Sequence, residues 1–455
     1  MEKTIAAIST APAPGGIGIV RISGGEAFAV AEKVFRGVSG KKLSQMKGYT
    51  AQLGGAYTPA GEKLDDVVAL VYRGPKSYTG EDVVELSCHG GLYMTKRLLQ
   101  LVLDAGAAPA GPGEFTRRAF LNGKMDLAQA EAVMGLISAS GEQARKAALA
   151  GSTGVLSRKI ESIKQGLLEQ AAHLAAWADF PEEDVPQVEE AALLEGIRQG
   201  EKALEELLQG FDRGRMYREG LVTVIAGRPN AGKSTLMNLL SGCQRSIVTQ
   251  YAGTTRDVVE ETVMVAGVPL RLADTAGIRD TDDPVESIGV QAARQRLETA
   301  QLVLAVFDSS QALEKEDWEL MDALEKVPAI AIVNKSDLPT RMDVEAIQKR
   351  FEKTVSLSAA TGEGLAELEQ ALSEILDTKD FHPQEGVLFT QRQRMDAQAA
   401  LDSLREGEQA LVLGLTLDAV TVCVEDALHA LAALTGEQVS EKIVDRVFEE
   451  FCVGK

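Results

Sequence analysis

The strongest chemical signal in the sequence is a glycine-bearing octapeptide suited to holding phosphate. Residues 227–234 read GRPNAGKS, match GxxxxGK[ST], and lie between the apolar run LVTVIA and the helical pattern STLMNLLS. Glycines let such a loop turn tightly and aim backbone N–H groups at a β-phosphate. Lys233 is expected to neutralise β- and γ-phosphate oxygens, and Ser234 to offer its hydroxyl to Mg²⁺. The expected contacts of this loop are Asn230, Ala231, Gly232, Lys233, Ser234 and Thr235.

Later segments indicate that the nucleotide carries guanine. DTAG follows the apolar run LRLA, where an aspartate can hold the magnesium shell and a glycine N–H can meet the γ-phosphate. NKSD ends the run AIAIVN, and the Asp337 carboxylate can accept two hydrogen bonds that guanine offers and adenine lacks. Ser358 and Ala359 follow at the place where a backbone amide would contact the guanine oxygen. The expected contacts here are Asp274, Thr275, Ala276, Gly277, Asn334, Lys335, Asp337, Ser358 and Ala359.

These motifs together resemble the GTPase superfamily across residues 221–376. Thr255, in GTTRD, is the candidate that closes onto Mg²⁺ and the γ-phosphate, so Ser234 and Thr255 are the expected Mg²⁺ ligands. Ile278 follows DTAG directly, where Ras-type enzymes place a glutamine that orients water, and isoleucine lacks the polar group for that role. The following loop offers polar candidates among which spacing does not choose: Arg279, Asp280, Asp282, Asp283 and Glu286.

The motifs require a scaffold, and the hydrophobic pattern outlines one. Apolar runs alternate with helical patterns over 221–376, which predicts a parallel sheet with helices on both faces. Residues 1–120 mix short β-branched runs, turns and one helix near 91–105, which predicts an α+β domain. Residues 126–211 and 387–451 have helical periodicity. The α/β unit is therefore expected to be inserted into a helical domain; two separate helical domains are the alternative.

Composition and charge exclude several classes of protein. The 455 residues are 45% hydrophobic and 25% charged, as in ordinary globular proteins and unlike disordered or collagen-like chains. A net charge of −20 opposes broad attraction to nucleic acid, although residues 1–120 carry 14 basic and 11 acidic side chains. The four cysteines are widely spaced, and no run of eighteen apolar residues occurs. We expect a cytoplasmic protein that does not span a membrane.

Several long motifs resemble one family, the MnmE (TrmE) tRNA-modification GTPases. They are GRPNAGKS, GTTRD, DTAGIRDTDDPVESIG, GEFTRRAFLNGKMDLAQAEAV and the terminal FCVGK, and the resemblance covers essentially the whole chain. It implies a homodimer with a multidomain α/β fold. The implied segments are an N-terminal α+β folate-binding and dimerisation domain at 1–120, helical parts at 121–216 and 379–455, and an inserted Ras-like G domain at 217–378.

The resemblance also implies an activity. In this family, GTP hydrolysis accompanies addition of an aminomethyl or carboxymethylaminomethyl group to the wobble uridine of certain tRNAs, together with the FAD-dependent partner MnmG (GidA). Pairing of two G domains around K⁺ activates the GTPase. Matching positions make Glu286 the water-activating acid. The implied K⁺ ligands are Asn230, Thr249, Tyr251 and Thr254, of which Thr249 and Thr254 also border the nucleotide.

A one-carbon unit from a tetrahydrofolate derivative, formyl- or methylene-tetrahydrofolate, is implied as well. The family's folate pocket matches Arg21, Glu85, Lys124 and the terminal Lys455. A carboxylate such as Glu85 can bind the amide and amino edge of a pterin at two points, while Arg or Lys suits the glutamate tail. Cys452 is a candidate nucleophile, and a buried apolar anchor beside Phe451 is the other interpretation.

Two other functions fit parts of the sequence. A regulatory GTPase of ribosome assembly, with an N-terminal protein-binding module, would share the guanine-nucleotide motifs. An ATP-dependent transport or motor subunit is disfavoured by the guanine-type NKSD segment. Binding of reduced folate by the N-terminal domain separates the first of these from a tRNA-modification enzyme.

Overall fold

The computed structural model describes residues 3–179, 190–243, 261–272, 300–325, 327–376, 382–449 and 451–454. The chain divides into two compact units. The first comprises Met1–Met134, Ile160–Ile197 and Asp402–Lys455, and the second comprises Gly135–Lys159 and Arg198–Leu401.

The strands and helices of the described residues follow the chain in this order. The strands are β1 (Ile5–Ile8), β2 (Ile17–Ser23), β3 (Phe35–Gly37), β4 (Thr50–Tyr57), β5 (Lys63–Tyr72), β6 (Val83–His89), β7 (Ala108–Pro109), β8 (Leu221–Ala226), β9 (Glu261–Val265), β10 (Val268–Leu272), β11 (Leu302–Asp308), β12 (Ala329–Asn334) and β13 (Lys353–Ser356). The helices are α1 (Ala27–Val34), α2 (Leu92–Asp104), α3 (Glu114–Leu121), α4 (Leu127–Ser138), α5 (Glu142–Ser152), α6 (Val155–Asp179), α7 (Glu190–Glu219), α8 (Lys233–Cys243), α9 (Lys315–Ala323), α10 (Val344–Gln348), α11 (Leu365–Ile375), α12 (Gln391–Val412), α13 (Leu417–Thr435) and α14 (Glu441–Glu449).

A seven-stranded sheet in the order β3-β4-β5-β6-β2-β1-β7 forms the core of the first unit. It is antiparallel except for the β1–β7 pair. Alternate residues of β5, Val67, Ala69 and Val71, are buried in a cluster with residues of α1 and α2. The opposite face is more open and carries Arg21 and Glu85. The predicted α+β domain is therefore confirmed, and α2 is the helix expected near 91–105.

The second unit contains a six-stranded sheet in the order β13-β12-β11-β8-β10-β9. Every residue of β11 and β12 is buried, as expected for central parallel strands. The sheet departs from the predicted all-parallel pattern at its edge, where β9 is antiparallel to β10. Ala266 and Gly267 join these strands with φ of +52° and +76°, the left-handed pair that a two-residue hairpin requires.

Helical segments from before and after the six-stranded sheet meet within the first unit. Lys164 of α6 has its Nζ 2.7 Å from both carboxylate oxygens of Glu437, which follows α13. The Cδ1 of Ile197 on α7 would be 3.9 Å from a Cβ placed on Gly407 of α12. An α/β unit inserted into a helical domain requires contacts of this kind between the helices before and after it. The exact limits of the four predicted segments, 1–120, 121–216, 217–378 and 379–455, stay a prediction.

The C-terminal segment folds back against the N-terminal strands. Val453 forms an isolated bridge with Pro112, and the backbone N–H of Gly113 donates to the Cys452 carbonyl at 3.3 Å. Gly454 has φ of +99°, and a Cβ there would lie 2.1 Å from the Ile8 carbonyl oxygen. Only glycine can therefore occupy this position without displacing the backbone.

A buried arginine joins two segments of residues 1–120 that are distant in sequence. Arg118 donates to both carboxylate oxygens of Glu81 at 3.1 Å, to Glu114 at 2.9 Å and to the Lys3 carbonyl at 2.8 Å. Ser23, at the end of β2, donates to the same Glu81 at 2.7 Å. The side chain of Arg118 is only 5% exposed. YTGE and GEFTRR are thus held together by one guanidinium.

Replacing Arg118 tests this network. Arg118→Met should lower the free energy of unfolding by about 3 kcal/mol, because the half-buried carboxylates of Glu81 and Glu114 would lose their buried counterion. Arg118→Lys retains the charge but not the forked geometry, so it should lose less. Denaturant titration measures both variants. Equal stability of wild type and Arg118→Met would contradict a supporting role for the network.

Candidate functional site

The phosphate loop joins the buried strand β8 to the first turn of α8. Gly227 and Gly232 have φ of +156° and +98°, and a Cβ on Gly232 would lie 2.1 Å from the Asn334 amide nitrogen. Asn230 is a non-glycine residue with φ of +60°, a conformation that asparagine tolerates better than most residues. The loop therefore exposes its backbone at the N-terminus of α8, where the helix dipole favours an anion.

Lys233 is the first residue of α8 and lies over the loop. Its Nζ donates to the carbonyls of Gly227 at 2.9 Å and Arg228 at 2.8 Å. Ser234 and Thr235 follow with exposed side chains, and Ala231 is buried beneath the turn. The hydroxyl of Ser234 is thus accessible at the helix end, which suits the role of a Mg²⁺ ligand.

Arg228 anchors the loop in a way that sequence analysis missed. Its Nη1 is 2.7 Å from Glu314, and its Nε is 2.9 Å from Asp317, a carboxylate that is 2% exposed. Glu314 and Asp317 also form the capping box of α9. These ion pairs connect one end of the phosphate loop to the N-terminus of α9, more than eighty residues later in the chain. The acidic pair three residues apart was the only sequence signal.

Asn334, at the end of β12, joins three loops through one amide. Its Nδ2 donates to the Ala231 carbonyl at 2.8 Å, and its Oδ1 accepts the backbone N–H of Ala359 at 2.9 Å. The residue is 2% exposed. Buried amides need partners at both ends. Asn334 consequently fixes the position of the phosphate loop relative to the segment after β13.

The base-recognition residues lie beside this amide. Ser358 is buried and donates from its hydroxyl to the Asp337 carboxylate at 2.7 Å, which fixes the orientation of that exposed side chain. Lys335 has φ of +62°, and its Nζ lies 2.6 Å from Asp308, the last residue of β11. Burial raises the pKa of Asp308, but bonds from Lys335 and Ser310 outweigh it, so the pKa stays below its usual range. Asp308 was not anticipated from the sequence.

Several of the expected nucleotide-binding, metal-binding and catalytic residues lie outside the described residues. They are Thr249, Tyr251, Thr254, Thr255, Asp274, Thr275, Ala276, Gly277 and Glu286. The acidic residues between which the sequence could not choose lie there too. The described part of the site therefore comprises the phosphate loop and the guanine-recognition segments.

A second polar cluster lies on the open face of the seven-stranded sheet. Arg21 and Glu85 are directly paired on β2 and β6, with Nε and Oε1 2.9 Å apart and side chains 16% and 14% exposed. Tyr72 of β5 donates to the other Glu85 oxygen at 3.3 Å. Burial, followed by the nearby Glu85 charge, raises the pKa of Tyr72, so its hydroxyl remains a donor. Tyr72 was missed because its partner lies on the neighbouring strand.

The C-terminal tail reaches the same cluster. The Gly454 carbonyl accepts hydrogen bonds from Ser9 at 3.1 Å and from Arg21 Nη1 at 3.4 Å. Cys452, two residues earlier, is partly exposed, while Phe451 is buried in a cluster with Phe448. Phe451 is therefore the buried apolar residue of this pair, and Cys452 is only partly buried.

Lys124 lies against a different segment. Its Nζ donates to the Pro75 carbonyl at 2.9 Å, and neighbouring Asn122 donates to the Thr79 carbonyl at 2.7 Å. Lys455 lies outside the described residues. Of the four expected folate residues, the structure thus brings Arg21 and Glu85 into direct contact and holds Lys124 at the turn before β6.

Comparisons with known proteins show which family the chain belongs to. A family model described as the MnmE helical domain matches residues 127–452, and one described as the GTP-binding protein TrmE N-terminus matches residues 4–124. The tRNA modification GTPase MnmE of Alkaliphilus oremlandii is 43% identical over 100% of both chains. The chain belongs to the MnmE family. The MnmE proteins of Symbiobacterium thermophilum, 44% identical over 100% of both chains, and Lactiplantibacillus plantarum, 42% identical over 99% of this chain and 98% of the other, agree.

Membership of the MnmE family confirms the main sequence predictions. The fold class is the expected one, with an N-terminal TrmE-type domain, a helical domain and a P-loop GTPase domain. The chain is a GTP-hydrolysing enzyme of tRNA modification, and such GTPases use Mg²⁺ in general. Among the described residues, no helix is long and apolar enough to cross a bilayer.

Asp337→Asn should exchange guanine for xanthine specificity. An amide can no longer accept two hydrogen bonds from guanine, so GTP affinity should fall by about a hundredfold, since hydrogen bonds to a charged group contribute roughly 1.5–3 kcal/mol each. The new amide N–H can instead donate to the xanthine 2-oxygen. Competition binding with GTP, XTP and ATP measures this change. Unaltered GTP preference would remove Asp337 from base recognition.

Proposed function

We propose that this MnmE-family protein binds a reduced folate in its first unit and uses the folate one-carbon unit to modify tRNA. In this proposal a homodimer acts with the FAD-dependent partner MnmG on the wobble uridine of certain tRNAs, adding an aminomethyl or carboxymethylaminomethyl group. The observation that supports it most directly is the Arg21–Glu85 pair on an open sheet face, contacted by the C-terminal tail.

The chemistry of this cluster suits a pterin ring. Glu85 is an acceptor with two oxygens, and Arg21 and Tyr72 hold it so that the carboxylate cannot rotate freely. A pterin presents an amide N–H and an amino group side by side, which is the pair of donors that a fixed carboxylate binds. Lys124 and Lys455 would serve the anionic glutamate tail. Cys452 would lie within the same segment of tail, available as a nucleophile.

The proposed GTPase mechanism assigns a task to residues of each nucleotide motif. Backbone N–H groups of residues 230–235 bind the phosphates, Lys233 neutralises charge on the β- and γ-oxygens, and Ser234 with Thr255 would hold Mg²⁺. Glu286 would accept a proton from the attacking water. The water oxygen bonds to the γ-phosphorus while the bond to the GDP oxygen breaks.

A monovalent cation is proposed to complete this site. Ile278 offers no polar group beside the γ-phosphate, so charge stabilisation must come from elsewhere. We assign K⁺ to Asn230, Thr249, Tyr251 and Thr254, at a contact between two G domains. The exposure of Asn230 supports this assignment, because an exposed side chain on the phosphate loop is accessible to an incoming ion.

A regulatory GTPase of ribosome assembly is the second candidate. It would need the same nucleotide loops but neither the Glu85 carboxylate nor the tail. The paired Arg21 and Glu85, which no nucleotide contact requires, favour the folate enzyme.

GTP hydrolysis should be several-fold faster in KCl than in NaCl. Asn230→Gly keeps the left-handed backbone but removes the amide oxygen, so the two salts should then give equal rates. Asn230→Asp retains a short oxygen side chain and serves as the matched control. Single-turnover phosphate release at fixed ionic strength gives the rates. A wild-type enzyme indifferent to the cation would exclude the proposed role of K⁺.

Glu85→Gln should weaken formyl-tetrahydrofolate binding by about thirtyfold, a loss of roughly 2 kcal/mol for exchanging a charged acceptor for an amide. The GTPase rate should remain unchanged. Calorimetric titration gives the affinity, and Glu62→Gln, on the exposed turn before β5, provides a control with the same chemical change. Tight folate binding by the Glu85→Gln variant would place the pterin somewhere else.

A further inference from the structure

One segment of the first unit carries a concentrated positive charge. Residues 33–61 contain Lys33, Arg36, Lys41, Lys42 and Lys47 and no acidic residue, in a chain with a net charge of −20. Without this segment, residues 1–120 would have more acidic than basic side chains. The positive surplus of the N-terminal domain therefore comes from one stretch of chain around β3 and β4.

Buried side chains and backbone hydrogen bonds hold the loop between β3 and β4 against the core of the first unit. Leu43 and Met46 are buried in the core of the first unit, 1% and 7% exposed, and the Arg73 Nε donates to the Met46 carbonyl at 3.0 Å. Glu32 accepts the backbone N–H of Ser44 at 2.8 Å. The loop between β3 and β4 is thus anchored on its inner side. Ordering this loop at binding should cost little conformational entropy.

The outer side of the loop presents free cations. Lys41, Lys42 and Lys47 are exposed, and none of the three has an ion-pair partner among the residues that the structure describes. Lys41 and Lys47 line an open groove of about 610 Å³ against β4. Ammonium groups held this way can approach a polyanion without first breaking an ion pair.

Apolar and aromatic groups accompany these lysines. Val38 and Leu53 line the groove and are 80% and 58% exposed. Tyr49, two residues after Lys47, is 65% exposed in a left-handed conformation with φ of +61°. Its ring is edge-on to Tyr72, with centroids 5.5 Å apart. Proteins that bind unpaired nucleotides combine such aromatic surfaces with a basic groove.

We propose that this basic loop, defined as residues 36–53, is the surface through which the protein contacts the phosphate backbone of its tRNA. The inference rests on the tRNA-modification function of the family. A contact between two copies of this loop is disfavoured, because it would bring like charges together. RNA is favoured over an acidic protein because the basic loop combines the cations of the groove with an exposed tyrosine, Tyr49, beside it.

The test compares two triple variants with the same change in net charge. Lys41→Gln, Lys42→Gln and Lys47→Gln together remove the basic loop's free cations. Lys202→Gln, Lys349→Gln and Lys442→Gln together remove three exposed lysines of other segments. Binding of a fluorescent tRNA transcript to the full-length protein is measured by anisotropy between 50 and 200 mM KCl. The assay needs neither folate nor a partner protein, so its result is independent of the proposed folate and K⁺ sites.

We expect the loop variant to bind tRNA about tenfold more weakly at the lowest salt, and the slope of log affinity against log salt to shrink by about 2. The control triple should change affinity less than twofold, and GTP hydrolysis should be unaffected in both. A third triple, Lys41→Arg, Lys42→Arg and Lys47→Arg, keeps the charge and should bind tRNA as wild type does, which ties any loss to charge.

Four outcomes would overturn the proposal. One is an equal loss in both glutamine triples, which would indicate a response to net charge alone. The second is tRNA affinity in the loop variant equal to that of wild type, and the third is no measurable binding by wild type. The fourth is competition by poly-glutamate as effective as that by unlabelled tRNA, which would assign the loop to acidic proteins.

Discussion

The nucleotide site depends on one buried amide. Asn334 donates to the phosphate loop and accepts from the segment after β13, and neither bond can be given up cheaply because water does not reach the side chain. The same amide leaves no room for a side chain at Gly232. Phosphate binding and base recognition are therefore held in a common geometry. Asp308 and Arg228 extend this rigid frame on either side through their ion pairs.

The first unit contains two charged clusters with different partners. Arg118, whose side chain is 5% exposed, binds Glu81, Glu114 and the Lys3 carbonyl, whereas Arg21 and Glu85 bind each other, Tyr72 and the C-terminal tail. A buried ion pair contributes little net stability and mainly specifies which segments meet. An accessible, oriented pair keeps hydrogen-bonding capacity for a ligand. Glu81 and Glu85 are almost equally buried, with side chains 17% and 14% exposed, so the partners of each carboxylate and not its burial separate the two clusters.

Much of this architecture could be predicted from local patterns, and the rest could not for a physical reason. Strand and helix alternation, the phosphate loop and the NKSD segment depend on residues close in sequence. The contacts of Arg228 with Asp317 and of Tyr72 with Glu85 join side chains brought together by packing and register, which periodicity does not encode. The antiparallel strand β9 was also not predicted. Its short apolar run does not indicate the direction of pairing, which is set by the two-residue hairpin turn that ends at Gly267.

The charge distribution suits a protein that must bind RNA at one surface and not over the rest of its surface. A net charge of −20 repels nucleic acid over most approaches, which suppresses nonspecific association. Attraction of RNA must then be confined to a small area whose cations have no ion-pair partner. The basic loop has such lysines, and the burial of Leu43 and Met46 holds it in place. Salt screens the repulsion and the attraction over the same distance of about 8–10 Å, so selectivity of approach is greatest at low ionic strength. Local basic charge on an acidic protein thus supplies affinity for RNA and also fixes the orientation in which RNA approaches.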